Sequence, residues 1–244
     1  MTPIVQQILV YALLPALGLS LGGLIAVYFR LSIKLQSAVL HFAAGVIFSV
    51  VAVEILPEVV HLHHPVLTAL GFGAGILLML LIRQWTEAKE HQSKKKDTGG
   101  KWPITFLIVI GIDVFVDGLL LGVGFAAGAK QGKLLAFALG IESLSLGLAT
   151  ATSLVKNKLT RGRISSLIVG FAALFLLSTG LGASLLQNVS EQVLDMVLSV
   201  GLAALLFLVT DELLTEAHIA EEPAWLTATF YAGFLFFLLL GMVM

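Results

Sequence analysis

The chain has no cysteine, which removes disulfides, thiolate metal ligands and thiol redox chemistry from consideration. Charge is nearly as scarce: 12% of its 244 residues are charged, about half of the ~25% found in soluble domains. Only 14 residues are Lys or Arg, and all of them fall between long apolar stretches or at their edges. An acid inside such a stretch therefore has no basic neighbour at its own depth. The net charge of −1 hides a marked asymmetry in where the basic residues fall, which argues for an oriented membrane protein and against nucleic-acid binding.

What remains is apolar. Hydrophobic residues make up 58% of the chain and the mean hydropathy is +1.02, which predicts an all-α polytopic membrane protein. A spanning helix needs about 20 mostly apolar residues. Eight such runs can be marked, at about 7–29, 37–60, 66–86, 103–127, 131–154, 163–187, 193–215 and 224–244. The first begins beside Met1 with no basic flank and no small-residue cleavage pattern, so it is expected to remain in the mature protein. Residues 1–244 are expected to form one eight-helix domain, because isolated membrane helices cannot bury carboxylates. The polar segment at about 84–102, with Lys94-Lys95-Lys96 and Gly99-Gly100, reads as a loop that divides the chain without creating a second domain.

The basic residues orient the bundle. Arg30 and Lys34 follow the first run, Arg83, Lys89, Lys94, Lys95, Lys96 and Lys101 lie between the third and fourth, and Lys156, Lys158, Arg161 and Arg163 lie between the fifth and sixth. The opposite face has only Lys130 and Lys133. The positive-inside bias places the basic loops, including 84–102, in the cytoplasm of a cell-membrane protein with both termini outside.

Two acids stand near the middle of the fourth run, Asp113 and Asp117, and a third, Glu142, stands near the middle of the fifth. A charge at the centre of a membrane helix costs about 2.5–3.5 kcal/mol on insertion scales, so it faces a protected polar interior. Four residues apart, Asp113 and Asp117 project from one helical face, with Cβ atoms about 5–6 Å apart. They repel in low dielectric unless a cation or a proton compensates them. The structural alternative, pairing with Lys or Arg, has no partner at that depth. Protonated acids in a hydrogen-bonded network are the other alternative, and an ion or proton pathway is favoured over it. Ser143, beside Glu142, adds a hydroxyl that either lines the path or only hydrogen-bonds between helices. Gly118, Gly122, Gly124 and Gly128 follow Asp117 and are expected to let helices approach closely.

Asp113-Val114-Phe115-Val116-Asp117-Gly118, with the glycines beyond it, resembles the His-Asn-x-Pro-Glu-Gly segment in the fourth span of the ZIP family of zinc, iron and manganese transporters. Gly140-Ile141-Glu142-Ser143-Leu144-Ser145-Leu146-Gly147-Leu148-Ala149 is similar to that family's fifth-span Gly-Ile-(His/Gln)-(Glu/Asn)-Ile-Pro-Glu-Gly-Leu-Ala. Glu54-Ile55-Leu56-Pro57-Glu58 resembles its second-span His-Leu-Leu-Pro-Glu, and Asp211-Glu212-Leu213-Leu214-Thr215-Glu216-Ala217-His218 its seventh span. The resemblance implies eight spans, outside termini, transport of a divalent metal as cargo with no cofactor, a homodimer, and movement of spans 1, 4, 5 and 6 against the other four. Carried over position by position, Asp113, Asp117, Glu142 and Ser143 are the implied metal ligands.

The departures point to a changed site. Leu146 stands where the family has a carboxylate, Val114 replaces the Asn of a second metal position, and the sixth run has no acid, with Ser178 and Thr179 its expected polar contributors. One metal rather than two is expected. Zinc favours Cys and His, whereas carboxylate, hydroxyl and water suit harder ions. Local chemistry therefore puts manganese or ferrous iron ahead of zinc, while the resemblance pulls toward zinc.

Two further clusters flank this centre. Glu54, Glu58, His61, His63 and His64 form a candidate outer approach, against the alternative of an interfacial surface. Asp211, Glu212, Glu216 and His218 form a candidate inner exit, against the alternative of a solvated helix end. His41 at the inner start of the second run is expected to be a boundary residue. Glu54-x-x-x-Glu58 recurs as Glu212-x-x-x-Glu216 on a helix expected to run the other way. This predicts an inverted repeat of spans 1–3 and 6–8 around a central pair, spans 4 and 5. Two other functions remain open: a proton-coupled carrier of another substrate using the same acids, and a non-transporting scaffold with a degenerate site. Enzymatic catalysis is not expected, since no nucleophile, His and acid share a depth.

Overall fold

The computed structural model describes residues 3–29, 32–94, 104–185, 190–217 and 224–243. Eight long helices account for nearly all of them, and no strand occurs among the described residues. They are α1 (Pro3–Tyr28), α2 (Ile33–Leu62), α3 (Pro65–Lys94), α4 (Ile104–Ala127), α5 (Ala129–Lys156), α6 (Arg161–Leu185), α7 (Glu191–Ala217) and α8 (Ala224–Val243). Each contains a stretch long and apolar enough to cross a bilayer, where only a helix or closed barrel satisfies the backbone internally. These stretches fall on the eight runs marked in the sequence, and they fit an integral membrane protein.

Local chemistry explains the ends. α2 and α7 each start at a serine, Ser32 and Ser190, whose hydroxyl accepts the amide of Leu35 or Val193. The segment at about 84–102 departs from the expected loop over its first part. α3 runs on as helix to Lys94, well past its apolar stretch, because Glu87, Ala88, Lys89, Glu90 and Gln92 are strong helix formers whatever their polarity. Residues 95–103 lie outside the described residues.

α2 and α7 share a second feature. Each is interrupted by a π turn, Val51–Ile55 in α2 and Leu208–Leu213 in α7, in which the Leu56 amide reaches the Val51 carbonyl and the Leu214 amide reaches that of Val209. The extra residue of a π turn shifts every later side chain around the helix. Glu54 lies in the first turn, and Asp211 and Glu212 in the second.

Packing divides the helices into two groups. α1, α4, α5 and α6 form one, held by extensive α1–α5 and α4–α6 seams, and α2, α3, α7 and α8 form the other, held by α2–α8 and α3–α7. Glycine closes every seam. A Cβ added to Gly22 would strike the Leu144 carbonyl and one on Gly147 the Leu19 carbonyl; across α4–α6, Gly122 meets Thr179 and Ala183 in the same way, and Gly182 meets Leu119. Gly45 and Gly233 do this for α2–α8, and Gly71 and Gly75 for α3–α7. With no hydrophobic drive between helices in lipid, such backbone approach supplies the packing energy. α2 against α5 and α7 against α4 join the two groups.

Candidate metal site

The junction between those groups holds the acids. Asp113 and Asp117 sit one turn apart on α4, and Glu142 faces them from α5. One carboxylate oxygen from each lies within 4.8 Å of the others. Hard divalent cations bind oxygen at about 2.0–2.6 Å, so one ion can touch all three. They are the only group of three or more metal-ligating side chains found together among the described residues.

Burial makes the arrangement costly without an occupant. Asp117 is 3% exposed and Glu142 1%, and Asp117 Oδ2 is buried with no hydrogen-bond partner among the described residues. The carboxyl groups of Asp117 and Glu142 are in hydrogen-bond contact, and the charged groups that act on this pair from outside it, Asp113 and Glu212, are acids as well. An unpaired buried charge of this kind is strongly unfavourable until a cation or proton joins it. Ser143 Oγ is buried and reaches Glu142 Oε2 at 3.5 Å, the outer limit of a hydrogen bond, while Ser145 Oγ donates to the Glu142 carbonyl at 2.7 Å. Ser178 and Thr179 are fully buried, and both donate to the Phe175 carbonyl of their own helix at 3.0 and 2.9 Å.

Burial along α4 differs on the two sides of Asp117. Between Phe106 and Val116, α4 is partly exposed on every face except at Val114, and Asp113 lies in this stretch. From Asp117 to Gly124 the helix is buried but for Leu119 and Leu120. Glu54, Glu58, Leu120, Val123, Gln131 and Leu135 line a small cavity of about 20 Å³, room for one water. Lys130 Nζ, on a half-exposed side chain, lies 4.0 Å from Glu54 Oε1.

The flanking clusters are distributed differently from each other. Glu54 and Glu58 line one pocket. His61 and His63 are exposed, with His63 in the left-handed region (φ 58°) and its Nδ1 2.6 Å from the His61 carbonyl. These histidines are not gathered with the glutamates into a metal-holding group among the described residues. Asp211 pairs with Arg83. Glu212, by contrast, bears on both Asp117 and Glu142. The Glu216 side chain and His218 lie outside the described residues. His41 is 2% exposed, its Nδ1 2.9 Å from the Ser37 carbonyl; it is a buried residue of α2 rather than one at a boundary.

Glu212, which the sequence marked only as a candidate inner-exit residue, bears on the centre from a π turn of which hydropathy carries no trace. Two features escaped sequence reasoning. Lys130 pairs with Glu54 across 76 residues of sequence in a way no local pattern encodes. Asp195, fully buried in α7 with Thr68 Oγ1 3.2 Å from its Oδ1, did carry a signal, since it is an acid inside the seventh apolar run. A scan against protein-family models and a search of curated proteins each give no match for this chain.

Proposed function

We propose that this protein carries divalent metal cations across a membrane by alternating access, through the Asp113, Asp117 and Glu142 site, in the manner of the ZIP transporters it resembles. One observation carries the reading: three carboxylates from two helices converge within 4.8 Å, and the most buried of the two aspartates has an oxygen with no partner. All the donors are oxygens, which favours manganese or ferrous iron over zinc.

Two halves of opposite orientation account for several registers at once. Ser32 and Ser190, Val51 and Val209, Glu54 and Glu212, Leu56 and Leu214, and Gly75 and Gly233 are pairs at a single sequence separation. Gly75 meets Val200, and Gly233 meets Phe42, which again stand at that separation. Likewise Asp117, Leu119 and Gly122 match Glu142, Leu144 and Gly147, while Leu19, Gly22 and Gly23 match Thr179, Gly182 and Ala183. Exchanging α1 with α6 and α4 with α5 turns the Gly22–Leu144 contact into Gly182–Leu119, and Gly147–Leu19 into Gly122–Thr179. An inverted repeat with the site at its midplane supports alternating access, the α1, α4, α5 and α6 group moving against the other four helices.

The test is metal-resolved uptake into proteoliposomes. The protein should move manganese and ferrous ions at least as fast as zinc, and Asp117→Asn or Glu142→Gln should abolish uptake of each. Metal flux at the parent rate in both variants would refute the site. Proton flux without metal flux would instead support the proton-coupled alternative.

A further inference from the structure

The turn from α5 into α6 puts a lysine where a glycine is usual. The Leu159 amide reaches back to the Leu154 carbonyl and the Lys158 amide to the Val155 carbonyl, the paired bonds that close a helix through a left-handed residue. That residue is Lys158, exposed and at φ 59°, a conformation that costs a lysine energy and a glycine none. Lys156 and Arg161 on either side are exposed as well. None of the three has an acid partner among the described residues, and residues 1–53 and 143–190 contain no Asp or Glu. The basic residues at the other end of α5 are matched, Lys130 with Glu54 and Lys133 with the Tyr11 ring. We propose that the α5–α6 turn is a docking site for the headgroup of an anionic phospholipid, held by Lys156, Lys158 and Arg161. This surface is separate from the three acids and does not depend on the transport reading.

Position and rigidity select a lipid as the occupant. The turn joins two helices that each contain a membrane-spanning stretch, so its side chains stand at the level of the headgroups, where Lys and Arg attract anionic lipid. Beneath it, Leu159 packs on a hydrophobic cluster of Val27, Ala151, Leu154, Ile164 and Ile168, which ties together the ends of α1, α5 and α6. Asn157 Nδ2 donates to the Ser153 carbonyl at 3.0 Å. The cations are thus presented on a fixed platform, and less entropy is lost when a phosphate group arrives. The Arg161 guanidinium lies over the Tyr28 ring, 5.6 Å from its centroid. The ring occupies one face of the guanidinium and leaves its N–H edge for phosphate oxygens. Tyr28 and Phe29 are 62% and 67% exposed and offer an apolar flank to the acyl chains. Charge beside exposed apolar surface matches the two parts of a phospholipid. Strain kept at an exposed residue points to a use for its side chain, and here that use is a charge held at a fixed place.

Native mass spectrometry of the detergent-solubilised protein tests this, with phosphatidylglycerol as the probe and phosphatidylcholine as the reference. The parent should bind phosphatidylglycerol more tightly by about 10-fold or more, and Lys156→Gln or Arg161→Gln should weaken that binding by about 5-fold, the effect of one basic residue at the membrane surface. Lys158→Gly separates binding from folding. It should unfold at a higher temperature than the parent when no anionic lipid is present, because the left-handed strain is gone, and still lose as much affinity as Arg161→Gln. Lys158→Arg should retain binding, and Lys133→Gln, at the other end of α5, should change nothing. Equal affinity of the parent for the two lipids would overturn the proposal, as would parent-level binding in protein that carries Lys156→Gln, Lys158→Gly and Arg161→Gln together, or an equal loss in Lys133→Gln. Inorganic phosphate that raised the melting temperature as much as phosphatidylglycerol does would overturn it too, since the turn would then hold a soluble anion rather than a lipid.

Discussion

Asp117 illustrates how a single residue can be legible in sequence while its neighbours are not. Its place in the middle of an apolar run, one turn from Asp113, marks it before any fold is known, and Glu142 is marked in the same way by its depth. Depth is what hydropathy encodes. Direction around the helix is not, since a membrane helix is apolar on its lipid-facing and protein-facing sides alike, and so the π turn that carries Glu212 and the bonding of Ser178 and Thr179 to their own backbone were hidden. Because Asp117 is buried among acids, removing its charge should relieve the empty protein. Asp117→Asn is expected to melt at or above the parent temperature without metal, and to lose the stabilisation that manganese confers on the parent, about 2.7 kcal/mol at one hundred times Kd. Differential scanning fluorimetry with and without manganese measures both. Asp113→His supplies an imidazole to the same three-ligand set, and the ratio of zinc to manganese uptake should rise in it; an unchanged ratio would remove Asp113 from selectivity.

Among the helices, span positions were legible to within a few residues because length and apolarity are demanded by the bilayer itself. The continuation of α3 to Lys94 was not, since a helix in water depends on propensity rather than hydropathy, and a polar stretch of good helix formers reads as a loop when judged by polarity alone. Nor were the π turns, which alter hydrogen bonding without altering composition. The seams between helices are the element-scale feature open to direct test. Gly147 packs against the Leu19 carbonyl, while Gly170 on α6 has nothing within 4 Å of an added Cβ. Gly147→Ala should lower stability by about 1–3 kcal/mol, the usual cost of overpacking. Gly170→Ala should raise it by up to about 1 kcal/mol, through helix propensity alone. Thermal unfolding of the two variants side by side separates close packing from generic loss of a glycine, and equal shifts would contradict the seam.

The molecule as a whole is a bundle of eight apolar helices with three acids gathered between α4 and α5. Contacts between distant segments fall on alternate faces as eight crossings require: Ser37 with Ala217 and Arg83 with Asp211 near one end, Thr68 with Asp195 and Lys130 with Glu54 near the other. Single cysteines at Gly162 and His64 should therefore be labelled from opposite sides of the membrane, Gly162 from the cytoplasm. Labelling of both from one side would contradict the topology. The central claim, that α4 and α5 hold one divalent cation between three carboxylates, is tested most directly by anomalous X-ray scattering from crystals grown with manganese. The account predicts one strong peak at about 2.0–2.4 Å from oxygens of Asp113, Asp117 and Glu142, present in the parent and absent in Asp117→Asn. Crystals that hold manganese elsewhere, or none, while these three carboxylates remain together would contradict it.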